Sequence, residues 1–89
     1  MPAKFQVGRL LITPAAQEKL TNDDVLGAIR RHVQGDWGEV GEEDREENEL
    51  SLAQGFRLLS VYHAANGTKF WVITEADRSA TTVLLPEDY

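Results

Sequence analysis

The spacing of apolar side chains changes along the chain, from a helical period in the first half to a period of two in the second. Four apolar residues recur at helical spacing in the first half: Val25, Leu26, Ile29 and Val33. Thr21 stands before them as an N-cap, and Asp24 three residues later places a carboxylate in the first turn. Gly35 offers a left-handed stop. The pattern predicts a helix from Asn22 to Gln34.

Weaker patterns flank this helix. The apolar residues between Lys4 and Thr13 predict a strand. A short helix from Pro14 to Leu20 is predicted next, because proline's fixed φ suits the first helical turn. Good helix formers from Glu42 to Gln54 predict a third helix, which Gly55 ends.

The second half alternates with a period of two on both sides of Asn66-Gly67, a dipeptide typical of hairpin turns. Strands are predicted from Phe56 to Ala64 and from Thr68 to Glu75. A two-residue turn would set Tyr62 opposite Trp71, so that both lie on one face of the sheet.

These elements predict a single α+β domain over residues 1–89. A third strand, Thr81 to Leu85, returns beside the second until Pro86 ends the pairing. The result is a small antiparallel sheet, a C-terminal three-stranded meander plus the N-terminal strand, with two to three helices packed on one face. The residues expected to be mostly buried are Val25, Leu26, Ile29, Val33, Leu59, Val61, Phe70, Val72 and Leu84.

Composition narrows the classes of function. The 89 residues include no cysteine, which excludes disulfides, thiolate zinc sites and thiol nucleophiles. The chain start lacks a signal-peptide pattern, and no apolar segment approaches the roughly 20 residues that span a bilayer, so a cytoplasmic protein without a membrane contact is expected. Phosphate-loop, dinucleotide and zinc-protease motifs are missing, and we predict neither a cofactor nor a metal site.

Negative charge is concentrated in one segment. Eight of the fifteen acidic residues lie between Asp36 and Glu49, against Arg45 alone, and the formal net charge is −6. This charge argues against direct nucleic-acid binding and favours a protein partner with a basic surface, although a solvated helix face explains the same run. The residues expected to meet the partner here are Trp37, Glu42, Glu43, Glu46 and Glu47.

Five polar residues are candidates for a catalytic or ligand-binding pocket: His32, Asp36, Glu75, Asp77 and Arg78. Three of them lie in a turn after a strand, where loops often carry function. A structural interpretation competes: Asp77 or Ser79 would cap the turn, and lone histidines commonly do structural work. In that interpretation Arg78 pairs with Glu75 or Asp36.

Large aromatic residues leave a further alternative. Trp37, between glycines in the acidic segment, either covers the core or meets a partner. Tyr62 and Trp71 would form a patch for a partner or for self-association, including a homodimer, if no helix covers their face.

Several runs resemble a family of short bacterial proteins. They are His32 to Gly38, Asp44 with Asn48, Gly55 to Tyr62, Trp71 to Ser79, and Leu84 to Tyr89. Members are commonly carried on plasmids and other mobile elements and are labelled plasmid-related protein or, loosely, type I restriction endonuclease subunit M. The resemblance implies no established activity, and the second label does not fit a chain of this size, which lacks a methyl-donor fold.

Three hypotheses follow, in this order. The first is an accessory protein of a mobile element that acts as an acidic protein-binding module, for example as an inhibitor of a host defence or nucleic-acid-binding protein. The second is a small enzyme or ligand-binding domain built on the polar pocket. The third is a self-associating structural or regulatory subunit.

Overall fold

The structure, a computed structural model, describes residues 3–89. Within this range four strands and three helices follow one another in the order β-α-α-α-β-β-β, and the α+β class is confirmed. The strands are β1 (Arg9–Ile12), β2 (Leu58–His63), β3 (Lys69–Thr74) and β4 (Ala80–Leu84). The helices are α1 (Pro14–Lys19), α2 (Asn22–Val33) and α3 (Glu42–Gln54), and a 3₁₀ turn (Pro86–Asp88) follows β4.

The helix ends lie close to where the local signals predicted them. In α2 the hydroxyl of Thr21 accepts from the Asp24 N–H, and the Asp24 carboxylate accepts from the Thr21 N–H, which forms a capping box. This second bond lowers the pKa of Asp24. Gly55 closes α3 in the left-handed conformation, at φ 80°.

The strand order is β1-β4-β3-β2. β2, β3 and β4 form the predicted antiparallel meander, whereas β1 pairs with β4 in parallel, which makes the sheet mixed. The parallel pairing is possible because three helices and two strands separate β1 from β4, and a parallel pair needs such a long connection.

The predicted register of the β2–β3 hairpin is wrong by one residue. Tyr62 lies opposite Phe70, and Val61 lies opposite Trp71. Tyr62 and Trp71 therefore lie on opposite faces of the sheet, because neighbouring residues of a strand alternate between faces.

The turn explains the shift. The Ala64 N–H donates to the Thr68 carbonyl and the Gly67 N–H donates to the Ala64 carbonyl, so the loop has three residues rather than two. Gly67 occupies the left-handed region at φ 88°, as the third residue of such a loop requires.

One face of the sheet packs under α1 and α2 and holds the core. The core consists of buried residues from both the helices and the sheet: Ala16, Leu20, Ala28, Tyr62, Ala64, Phe70, Val72, Val83 and Leu85. Burial of Val61, Phe70, Val72 and Leu84 is confirmed, while Val25, Ile29, Val33 and Leu59 are half-buried. Leu26 was wrongly predicted to be buried and is 58% exposed, because α2 turns its Ala28 and His32 side towards the sheet instead.

The opposite face of the sheet is only partly covered. It carries Val61, Trp71, Ile73 and Leu84. Tyr89, after the 3₁₀ turn, packs its ring edge-on against Trp71 at 5.6 Å. Among the described residues, no helix is both long and apolar enough to cross a membrane.

Candidate functional site

His32 is fully buried within a chain of polar groups on the helix-covered face of the sheet. Its Nδ1 lies 2.6 Å from Ser60 Oγ and its Nε2 lies 2.9 Å from Thr74 Oγ1. Thr74 Oγ1 is 2.7 Å from Thr81 Oγ1, which donates to the Val7 carbonyl at 2.8 Å. Four residues from four elements are thus linked to the segment that precedes β1.

The Val7 carbonyl sets the direction of the bonds from Thr81 back to Nε2 of His32. Because a carbonyl only accepts, Thr81 donates its single proton to it and accepts from Thr74. Thr74 accepts in turn from the Nε2–H of His32, and the bare Nδ1 accepts from Ser60. A neutral imidazole therefore satisfies all of these groups, and burial, with a smaller effect of the positive Arg78, lowers the pKa of His32 to about 4.

The Ser60–His32 contact has the atoms of a nucleophile and its base, but it lacks access. Both side chains have 0% exposure. A nucleophile must reach its substrate, so burial assigns this pair to the fold rather than to catalysis.

Asp36 forms a surface ion pair. Its carboxylate accepts from Nε and Nη2 of Arg31 at 2.7 and 3.2 Å, and these bonds lower the pKa of Asp36. Both side chains are about half exposed. The backbone carbonyl of Asp36 accepts from the Tyr62 hydroxyl at 2.6 Å, which ties this segment to β2.

Arg78 fastens the β3–β4 turn to the end of α3. Its guanidinium donates to the backbone carbonyls of Ser51, Phe56, Glu75 and Ala76 at 2.6 to 3.2 Å. The predicted pairing of Arg78 with the carboxylate of Glu75 or Asp36 is wrong; the Glu75 carboxylate pairs with Arg57 at 3.4 Å. Peptide carbonyls are also acceptors, and the φ of 62° at Arg78 belongs to a tight turn that aims the side chain back at them.

Asp77 caps the same turn, as the structural interpretation predicted. Its carboxylate accepts from the Ser79 N–H at 2.9 Å, and the bonds to Ser79 lower the pKa of Asp77. Each of the five polar candidates is therefore engaged in a structural contact. Asp36 is also distant from the turn residues, because it contacts Tyr62 near one end of β2, whereas the Glu75–Arg78 turn lies at the other end. In residues 3–89 no cluster of three or more histidine or acidic side chains could hold a metal ion.

Two of the aromatic residues predicted to meet a partner lie in the interior. Trp37 is 4% exposed and Tyr62 is 2% exposed. Trp37 packs beside His32 at 5.7 Å, and its Nε1–H donates to Glu49 at 2.8 Å. Assigning Trp37 and Tyr62 to a partner surface was therefore wrong, because large aromatic rings close the core of a small domain. Trp71 is half-buried beside Tyr89.

Trp37 also begins a segment that covers the β2 edge of the sheet. The Val61 N–H donates to the Trp37 carbonyl at 3.0 Å, and the Glu39 N–H donates to the Val61 carbonyl at 2.8 Å. Between them Gly38 has φ 74°, and a Cβ there would overlap the Val61 carbonyl oxygen. Only glycine fits this close approach.

Asn48, nearly two turns into α3, continues the cover. Its side-chain amide donates to the Leu59 carbonyl at 2.6 Å and accepts from the Leu59 N–H at 3.1 Å. Asn48 and Ser51 are the buried residues of α3. The helix is thereby held against the sheet edge through a narrow polar stripe.

The remaining surface of α3 is acidic. Its exposed carboxylates belong to Glu42, Glu43, Asp44, Glu46, Glu47 and Glu49, and Arg45 is the cation among them. Glu43, Glu46, Glu47 and Leu50 follow one helical stripe, at spacings of three, four and seven residues from Glu43. We call the three glutamates the acidic stripe; Leu50 ends it on the groove side.

An open groove of about 410 Å³ runs beside the acidic stripe. Leu50 and Phe56, each 54% exposed, line it together with Asp44, Glu47 and Arg57, and Arg57 is itself paired with Glu75. The groove thus combines apolar side chains with carboxylates, a composition suited to a ligand that is both apolar and cationic.

The polar chain around His32 and the Asn48 clamp were not foreseen from the sequence. Ser60, Thr74 and Thr81 are polar residues at inward-facing positions of β2, β3 and β4. One hydroxyl per strand on the buried face is a recognisable signal once the register is right, but the one-residue slip concealed it for β2 and β3.

No protein-family model matches the chain, and no similar protein was found among curated sequences or among solved structures.

Proposed function

We propose that the protein is an acidic protein-binding module whose α3 surface docks on a basic surface of a partner protein. The observation that carries the proposal is the attachment of α3: Asn48 holds the helix on the sheet edge while its carboxylates stand in solvent. A charged surface on a fixed scaffold keeps its geometry on binding and loses little entropy.

The arrangement of charge supports a role beyond solubility. Glu43 and Glu47, like Glu42 and Glu46, are four residues apart on one helix, where like charges destabilise the helix by about 0.2 to 0.5 kcal/mol per pair. A cationic partner would relieve this repulsion. Such a field also accelerates the encounter with a basic site.

The groove supplies the apolar part of the contact. Leu50 and Phe56 are large apolar side chains exposed beside carboxylates. Binding energy at interfaces is concentrated in a few well-packed residues, whereas rim charges mainly set association rate and specificity. A partner segment with an apolar anchor flanked by lysine or arginine fits this surface.

Nucleic-acid-binding proteins present such basic surfaces to phosphates. An acidic module that occupies one of these surfaces would inhibit the nucleic-acid-binding protein that carries it. Such inhibition agrees with the resemblance to accessory proteins of mobile elements. The enzyme alternative receives no comparable support, since each of its five candidate residues is engaged in the fold.

The test compares two charge-reversed proteins of equal net charge. Glu43→Lys/Glu46→Lys/Glu47→Lys alters the acidic stripe, and Glu18→Lys/Asp23→Lys/Glu87→Lys alters three exposed acids elsewhere. Proteins retained from a host-cell lysate by the unmodified chain are purified, and their association rates are measured at low and moderate salt. The stripe variant should associate about tenfold or more slowly and lose most of the salt dependence, while the control variant should keep both.

Leu50→Ala with Phe56→Ala tests the groove separately. Loss of an apolar anchor should raise the dissociation rate and leave the association rate nearly unchanged. Equal behaviour of the two charge-reversed proteins, with a partner that carries no basic surface, would overturn the proposal.

A further inference from the structure

The two edges of the sheet differ in protection. The β2 edge is covered by Trp37 to Glu39 and by Asn48. At the other edge, the described residues provide no further strand beyond β1. Exposed edges pair readily with other chains unless charges, proline or a bulge protect them.

The outward backbone groups of β1 can be assigned from its pairing with β4. The N–H groups of Arg9 and Thr13 donate to the carbonyls of Ser79 and Val83. Since residues of a parallel strand alternate in direction, Leu11 also faces β4, and the N–H and C=O groups of Leu10 and Ile12 face away from the sheet.

The side chains of this edge are apolar on both faces of the sheet. Leu10 is 47% exposed, Leu11 is 41% exposed and Ile12 is 36% exposed. Arg9 is the one charged residue of β1, and it stands at the first position. The strand therefore combines free backbone groups with exposed apolar side chains.

We propose that two copies of the chain dimerise by antiparallel pairing of their β1 strands about a two-fold axis at Leu11. In this register each Leu10 lies opposite Ile12 of the other copy, and their outward groups form about four inter-chain hydrogen bonds. The two Leu11 side chains meet at the axis. The Leu10–Ile12 and Leu11–Leu11 pairs each join two apolar side chains, so this edge is complementary to a second copy of itself.

Charge selects the same register. This register places Arg9 of one copy opposite Thr13 of the other, and the Thr13 hydroxyl donates to Asp88 of its own chain at 2.7 Å. Within residues 3–89 neither Arg9 nor Asp88 forms an ion pair in the single chain. Dimerisation would bring each Arg9 beside the Asp88 of the other copy, twice by symmetry.

Neighbouring registers fit less well. A shift towards the C-terminus would place Leu10 opposite Pro14, which has no N–H to donate. A shift towards the N-terminus would bring in Gly8, whose φ of 64° is not extended. Since the β2 edge is already covered, pairing stops at a dimer, and it leaves both α3 surfaces at the outer ends of a continuous sheet.

Oligomeric state provides the first test. The interface is small, so sedimentation is measured from about 10 to 500 µM protein, a range that suits a weak association. The unmodified chain should approach about 20 kDa, twice its 10.0 kDa mass. Leu11→Lys should remain folded and raise the dissociation constant about tenfold or more, because like charges then meet at the axis.

Cross-linking tests the register. The chain has no cysteine, so a single introduced cysteine can link only to its copy. Leu11→Cys should oxidise to a disulfide dimer, since directly opposite residues that are not hydrogen-bonded have Cα atoms about 4.5 Å apart, within disulfide range. Leu10→Cys and Leu50→Cys, both exposed, should cross-link far more slowly.

The proposal would be overturned if the chain stays at 10.0 kDa at every concentration. This holds also if the monomer binds an added extended peptide at the β1 edge. A dimer that Leu11→Lys leaves intact would overturn it too, as would one in which Leu10→Cys cross-links as fast as Leu11→Cys. None of these results bears on the acidic stripe, because the two surfaces lie at opposite edges of the sheet.

Discussion

At the scale of single residues, His32 makes the stability of the fold depend on pH. Its pKa of about 4 in the folded chain lies below the ordinary value of 6.5, because burial, and to a smaller extent the positive Arg78, disfavours the charged imidazolium. The unfolded chain therefore binds a proton more readily between these values. The contribution of His32 to the free energy of unfolding is fully present above pH 6.5. It falls by about 3 kcal/mol as the pH is lowered towards 4.

Chemical denaturation at several pH values measures this loss. His32→Gln should cost about 1 to 3 kcal/mol at pH 7.5, since it disturbs the hydroxyl chain, and should flatten the pH dependence between 6.5 and 4. His63→Gln serves as the control because His63 is exposed and contacts Glu39 instead. An unchanged slope in His32→Gln would contradict the assignment of a neutral imidazole.

At the scale of elements, the cover of the β2 edge depends on glycine. Gly38→Ala places a Cβ against the Val61 carbonyl and should cost about 2 to 4 kcal/mol in the free energy of unfolding. It should also speed hydrogen exchange of the Val61 and Glu39 amides, which the edge pairing protects.

Gly27→Ala is the matched substitution. Gly27 lies within α2 with open space around its Cβ position, so alanine there should stabilise the protein by about 0.5 to 1 kcal/mol. Equal stability of the two variants would mean that Trp37 to Glu39 does not pair tightly with β2.

At the scale of the whole molecule, charge opposes folding. The net charge is −6, and eight acids are crowded between Asp36 and Glu49. Raising sodium chloride from low to moderate concentration should therefore increase the free energy of unfolding by about 0.5 to 1 kcal/mol, through screening of like charges.

The two charge-reversed proteins identify the source of this salt effect. Glu43→Lys/Glu46→Lys/Glu47→Lys should remove most of it, because the repulsion is concentrated on α3. Glu18→Lys/Asp23→Lys/Glu87→Lys changes net charge equally and should retain more of it. The free energy of unfolding, measured by denaturation at each salt concentration, shows whether the salt effect comes from repulsion on α3 or from net charge alone.

Local chemistry in the sequence determined the elements of this protein. The Thr21–Asp24 cap, the Gly55 stop and the alternation around Asn66-Gly67 act over a few residues, so the bounds of α2, α3 and the last three strands could be predicted closely. The first strand, predicted from Lys4 to Thr13, is only Arg9–Ile12. The acidic composition of α3 and the capping role of Asp77 were equally readable, because both depend on neighbours in the chain.

The tertiary structure alone decided which residues share a face, an edge or a hydrogen bond. A turn longer by one residue separated Tyr62 from Trp71, since side chains of a strand alternate. The rotation of α2 exposed Leu26 and buried His32 among three hydroxyl groups from distant strands. The Asn48 clamp and the open edge of β1 follow from contacts between segments far apart in the chain, and no local pattern encodes such contacts.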